Sequence, residues 1–86
     1  MKIVWLVKGN MQIDIVTADW CTYCEKAKQL LSEYGYDYTE IDLDLALGCM
    51  SLYNLKTVPQ IFVDKVLLGG YEDLLDKLNR DGDITL

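Results

Sequence analysis

Two cysteines stand three positions apart in the stretch Asp19-Trp20-Cys21-Thr22-Tyr23-Cys24-Glu25-Lys26. Such a spacing serves dithiol–disulfide exchange, metal ligation or plain packing. A structural zinc site takes four ligands, from a second close cysteine pair or from histidines. This chain has 3 cysteines and no histidine, so Cys49 adds only a third thiolate and no metal is expected. The missing histidine also excludes Cys–His nucleophilic chemistry. Exchange is therefore the favoured chemistry: one thiol attacks a disulfide sulfur and the other resolves the mixed disulfide.

Exchange needs one sulfur held where donors meet it, and the flanking residues supply that place. Met11 to Val16 alternates apolar and polar before turning apolar, which predicts a strand ending near Thr17 and Ala18. From Thr22 to Tyr34 the residues Tyr23, Ala27, Leu30, Leu31 and Tyr34 recur at helical spacing, and Gly35 supplies the stop. Cys21 then faces the unpaired N–H groups and positive end of a helix, which favour a thiolate nucleophile. Cys24, one turn in, is placed as the resolving thiol. Asp19 opposes the thiolate in part through its charge.

Farther along, Asp37 to Leu43 predicts a strand parallel to the first. Leu45 to Asn54 reads as a helix, although Gly48 within it costs about 1 kcal/mol relative to alanine. Gln60–Val63 and Val66–Leu68 form a hairpin through Asp64-Lys65, a turn without the usual glycine. Tyr71 to Asn79 places Tyr71, Leu74, Leu75 and Leu78 on one helical face, with Glu72 and Asp73 in the first turn. The order is βαβαββα. Leu45 to Leu55 carries no charge, and the expectation is an irregular, tucked-in segment with Cys49 as a core thiol rather than an exposed apolar patch.

A chain of 86 residues, 51% apolar, holds one folded domain. Its net charge of −6 makes nucleic acid and anionic membrane poor partners. The apolar run Ile3 to Val7 is too short for a signal-peptide core or a membrane span, so a cytoplasmic location is expected. Residues 1–10 precede a Met11 that could itself start the protein, and Gly9-Asn10 suits a turn between two strand-like runs. They read as an extra edge strand, a cloning remnant or an upstream extension, with the domain proper at 11–86.

Three blocks, "CTYC", "TVPQIFVD" and "GGYEDL", together resemble the glutaredoxin family of the thioredoxin-fold superfamily, over about residues 11–80 and most closely its compact bacterial and phage members. The resemblance implies a thioredoxin fold, a four-stranded mixed sheet flanked by three helices. It also implies glutathione-dependent reduction of protein disulfides and glutathionylated thiols by a monomer, with ribonucleotide reductase as one client. By the same resemblance Pro59 is cis and Val58 offers its backbone to glutathione, with Thr57 beside it. Lys56 serves the glycine carboxylate, Glu72 and Asp73 hold the γ-glutamyl group, Gly70 lets the backbone approach, and Tyr23 lines the groove.

Departures from the family pattern open alternatives. Ala18 stands where most members carry a basic residue, and Leu55 replaces a frequent polar partner. Trp20 is more typical of thioredoxin, so one alternative is a redoxin reduced by thioredoxin reductase. Thr22 stands in place of proline, which leaves room for a second alternative, a carrier of a glutathione-ligated [2Fe-2S] cluster.

Overall fold

The computed structural model describes residues 11–52, 55 and 57–84, apart from the side chain of Cys49. Residues 1–10, to which the edge-strand reading belongs, and Lys56 lie outside them.

Five residues, Ile13–Thr17, form β1, and all five are buried. It lies in the middle of the sheet, whose order is β2-β1-β3-β4. β2 (Thr39–Asp42) runs parallel to it, with Val16 opposite Ile41, and β3 (Gln60–Val63) antiparallel, with Ile15 opposite Ile61. β4 (Val66–Gly69) is antiparallel to β3. A central strand covered on both faces needs apolar residues at successive positions, which explains why the alternation at Met11 to Val16 dissolves into an apolar run. Its one acid, Asp14, is buried with the Gln12 side-chain amide 3.2 Å away as donor.

One face of the sheet carries Ile13, Ile15, Ile61 and Val63 against α1 (Thr22–Glu33) and α3 (Tyr71–Asp81), which contribute Ala27, Leu31, Leu74 and Leu78. Each aliphatic side chain removed from water there contributes about 1.5–3 kcal/mol. The opposite face carries Val16 and Phe62 against Ala46 and Met50. With α2 (Leu47–Leu52) the order is βαβαββα, the four-stranded mixed sheet with three helices that the resemblance implies.

The second helical region departs from expectation. β2 ends at Asp42, whose carboxylate accepts the Asp44 N–H at 2.9 Å and caps a 3-10 turn over Leu43–Ala46. Among the described residues of this segment, Leu47–Leu52 alone is α-helical. This segment is irregular, but it is not tucked in: Ala46 and Met50 are buried while Leu45 is 84% and Leu52 83% exposed. A 3-10 turn followed by a short helix cannot aim every apolar residue at one sheet face. The expected role of Cys49 as a core thiol falls on a side chain outside the description.

The hairpin turn places both Asp64 (φ 51°) and Lys65 (φ 71°) in left-handed backbone. That conformation costs a non-glycine residue about 1–2 kcal/mol. Asp64 is offset by a double tie to the start of β1, its carboxylate accepting the Gln12 N–H at 2.9 Å and its own N–H donating to Gln12 O at 2.7 Å. Lys65 makes no such tie among the described residues, so Lys65→Gly should stabilise the domain by about 1 kcal/mol. A thermal melt should rise by roughly 4–8 °C, and an unchanged or lower midpoint would refute this account of the turn.

Candidate active site

At the end of β1 the chain turns through Asp19 and Trp20, and Cys21 becomes the N-cap of α1 in extended backbone (φ −96°, ψ 109°). Its N–H donates to Ala18 O at 3.1 Å, and its Sγ accepts the Cys24 N–H at 3.1 Å. The sulfur takes the place a serine or aspartate oxygen usually holds at a helix start. A charged sulfur accepts such an N–H more strongly than a neutral one, which is what a thiol-exchange nucleophile requires. The Cys21 thiol also lies 3.5 Å from the Val58 carbonyl oxygen, to which it donates.

Cys24 is fully buried, packed with Ala18, Cys21, Leu43 and Val58. Burial pushes its thiol up to about 12, and the hydrogen bond with Cys21 adds to the effect. Both cysteines are free thiols. The two sulfurs are thus unequal: one meets a helix-terminal donor and the other is kept protonated inside the core.

Beside Cys21 the chain closes on the Val58–Pro59 peptide, which is cis. Buried Gln60 holds this corner, its side-chain amide donating to Thr57 O at 3.0 Å and to Thr57 Oγ1 at 3.2 Å. Across from it the β4 strand passes into α3 after a register shift at Ile61/Phe62. Gly69 has φ 133°, and a Cβ there would run into the Asp73 carboxylate, with Asp73 Cγ at 2.7 Å. Gly70 passes Pro59 closely, and a Cβ on it would sit 3.3 Å from Pro59 O. Asp73 Oδ2 accepts the Gly70 N–H at 3.0 Å, tying the start of α3 to the corner.

Tyr23, Thr57, Val58, Pro59, Gly70, Tyr71, Glu72 and Asp73 line one groove of about 260 Å³. Of the residues singled out in the sequence, Tyr23, Thr57, Val58, Pro59, Gly70, Glu72 and Asp73 are thereby brought together, and Cys21 borders them through Val58. Trp20 is 75% exposed and not among the lining residues. Thr22, the first residue of α1, is exposed on the turn. Lys56 lies outside the described residues.

One lining residue escaped the sequence reading. Tyr71 has its ring centroid 5.6 Å from that of Tyr23, and Lys26 Nζ sits 5.0 Å from the Tyr23 ring centre. Tyr71 directly follows Gly70 at the N-terminus of α3, the signal that could have found it. Its helical spacing with Leu74 and Leu78 pointed to the core instead.

Behind the cysteines an ion-pair network joins α1 to the sheet. Lys28 meets Glu25 at 2.7 Å and Glu40 at 3.0 Å, and Thr17 Oγ1 donates to Glu40 at 2.8 Å. The Thr17 hydroxyl, then Lys28, hold the Glu40 carboxyl below its ordinary range. Lys28 is raised by Glu25 first and Glu40 second.

Comparison with known proteins places this geometry. The glutaredoxin family model matches residues 13–68. A glutaredoxin of Pseudomonas aeruginosa is 41% identical over 64 residues, covering 70% of this chain and 76% of the relative. Glutaredoxin 3 of Escherichia coli K12 is 36% identical over 66 residues, covering 72% and 80% respectively. Among solved structures, the holo form of glutaredoxin C1 from Populus tremula x tremuloides superposes with a TM-score of 0.72 at 26% identity, covering 80% of this chain and 75% of that one.

Proposed function

The chain belongs to the glutaredoxin family, whose activity is thiol–disulfide oxidoreduction, and on that premise we propose that it is a dithiol glutaredoxin working with glutathione through Cys21 and Cys24. The observation that carries this reading is the placement of the Cys21 sulfur, 3.1 Å from the Cys24 N–H and 3.5 Å from the carbonyl of Val58, a residue lining the groove.

In the proposed cycle the Cys21 thiolate attacks one sulfur of a substrate disulfide, forming a mixed disulfide and expelling the other sulfur as a thiolate. Cys24 then gives up its proton and attacks Cys21 Sγ, which releases the second substrate thiolate and leaves a Cys21–Cys24 disulfide. Two glutathione molecules restore the dithiol in two further exchanges and leave as glutathione disulfide. Protein disulfides, those of ribonucleotide reductase among them, and glutathionylated thiols are the proposed substrates. The cis corner at Val58 and Pro59 offers an extended edge to the glutathione backbone. The α3 N-terminus suits the γ-glutamyl carboxylate, with Glu72 and Asp73 near its ammonium.

One observation favours a second reading. Among the described lining residues the groove holds two acids and no cation to meet the glycine carboxylate. In that reading electrons arrive from thioredoxin reductase. Reduction of a small glutathione mixed disulfide, driven by NADPH through either glutathione with its reductase or thioredoxin reductase, separates the two. Turnover through the glutathione arm is the expected result. Turnover only through thioredoxin reductase would replace the proposed reductant while leaving the dithiol chemistry in place.

A further inference from the structure

Cys21 meets an N–H at the start of α1, but Cys24 is fully buried among Ala18, Leu43 and Val58, whose side chains carry no charge. To resolve a mixed disulfide it must nevertheless become a thiolate. Burial and then the hydrogen bond with Cys21 hold its thiol up to about 12, while the Ala18 backbone and the Lys28 charge pull it down. Once Cys21 is joined to a substrate sulfur it carries no charge of its own. Lys28 is then the charge left acting on Cys24 among the described residues.

The fold sets that cation in place and keeps it there. Lys28 follows Cys24 by four residues on α1, so the two are neighbours one turn apart on the helix surface. Its side chain is only 17% exposed and is clamped from two elements, by Glu25 of α1 at 2.7 Å and Glu40 of β2 at 3.0 Å. Glu40 is fixed in turn by the buried Thr17 hydroxyl, which donates to it at 2.8 Å from the last residue of β1, next to Ala18. The two acids keep Lys28 protonated. They are also the more exposed members, at 70% and 45%, so water screens their charges more than it screens the lysine. We propose that Lys28, held by Glu25 and Glu40, is a positioning residue for the resolving step, its fixed cation stabilising the thiolate with which Cys24 attacks Cys21. The inference rests on the dithiol reading above. In that step Cys24 passes its proton to water, its sulfur forms a bond to Cys21 Sγ, and the bond from Cys21 Sγ to the substrate sulfur breaks. The substrate sulfur leaves with the electron pair as a thiolate, reduced as the two protein thiols are oxidised.

The test uses the full reduced chain with Cys49→Ser, which leaves two thiols, mixed with one equivalent of the aromatic disulfide 5,5′-dithiobis(2-nitrobenzoate). Attack by Cys21 releases one coloured thiolate and resolution by Cys24 releases the second, so stopped-flow absorbance times both steps in one run. Lys28→Met should slow the second release roughly three- to tenfold at neutral pH and move its pH–rate line upward by about 0.5–1 in pH. The first release should change less. Lys28→Arg keeps the charge and should restore the line, whereas Lys77→Met removes a lysine just as covered (15% exposed), paired with Asp81 on α3, and should leave both releases unchanged. Should the methionine variant fail to fold, Lys28→Gln repeats the measurement with the same expectation. A purely structural Lys28 would lower the melting point without moving the pH–rate line. An unmoved line without the lysine charge, an equal shift in Lys77→Met, or no restoration by arginine would overturn the proposal. If the parent chain shows no second release, or Cys24→Ser shows it as well, the dithiol reading itself fails and the role of Lys28 falls with it.

Discussion

Cys21→Ser should reduce turnover of every disulfide substrate by roughly a thousandfold or more, since the other thiol of the site, Cys24, is fully buried and cannot reach a substrate disulfide. Cys24→Ser should behave differently. It should still reduce glutathionylated thiols, because glutathione can release the mixed disulfide at Cys21, but should lose reduction that depends on the second thiol. The asymmetry follows from position: Cys21 Sγ meets the Cys24 N–H at the start of α1, whereas Cys24 is fully buried with its thiol pushed up to about 12. The two assays, run side by side on both variants, check the assignment. Substantial activity in Cys21→Ser, or equal losses in both assays for Cys24→Ser, would reverse or dissolve the division of roles.

Gly69→Ala should carry the largest structural penalty of any single methyl added to the groove wall. The position combines φ 133° with a Cβ site that the Asp73 side chain already occupies. Strained backbone of this kind costs about 1–3 kcal/mol. Displacing Asp73 also breaks its bond to the Gly70 N–H, and a lost cap costs about 1 kcal/mol more. A total of about 2–4 kcal/mol should lower the melting midpoint by roughly 10–25 °C. Gly82→Ala is the control: Gly82 also has positive φ (77°), but nothing lies within 4 Å of its Cβ site. It should cost only about 1 kcal/mol. Equal melting points for the two variants would mean that Asp73 moves aside freely, and the groove wall would then not depend on the Gly69–Asp73 contact.

The two glycines show how far a sequence can be read. Gly69-Gly70 invites a turn, and Asp73 in the first turn of α3 invites a favourable helix-end charge. That the acid instead lies in the space a Gly69 side chain would fill is a fact of three dimensions. Leu45 to Leu55 teaches the same lesson from the apolar side. Its composition gave no polar face, but whether Leu45 and Leu52 would be covered depended on how Asp42 capped the 3-10 turn and where that turn set the short helix.

By itself the sequence determined the strand–cysteine–helix junction, the βαβαββα order and the family resemblance, because these rest on periodicity, stop signals and short motifs that neighbouring residues carry between them. Only the tertiary structure decided what lies next to what across long separations: Val58 beside Cys21, Tyr71 beside Tyr23, and the packing around Cys24 that pushes its thiol up. Those contacts join residues from different elements, and their distances are set by sheet order and packing, which local patterns constrain without specifying.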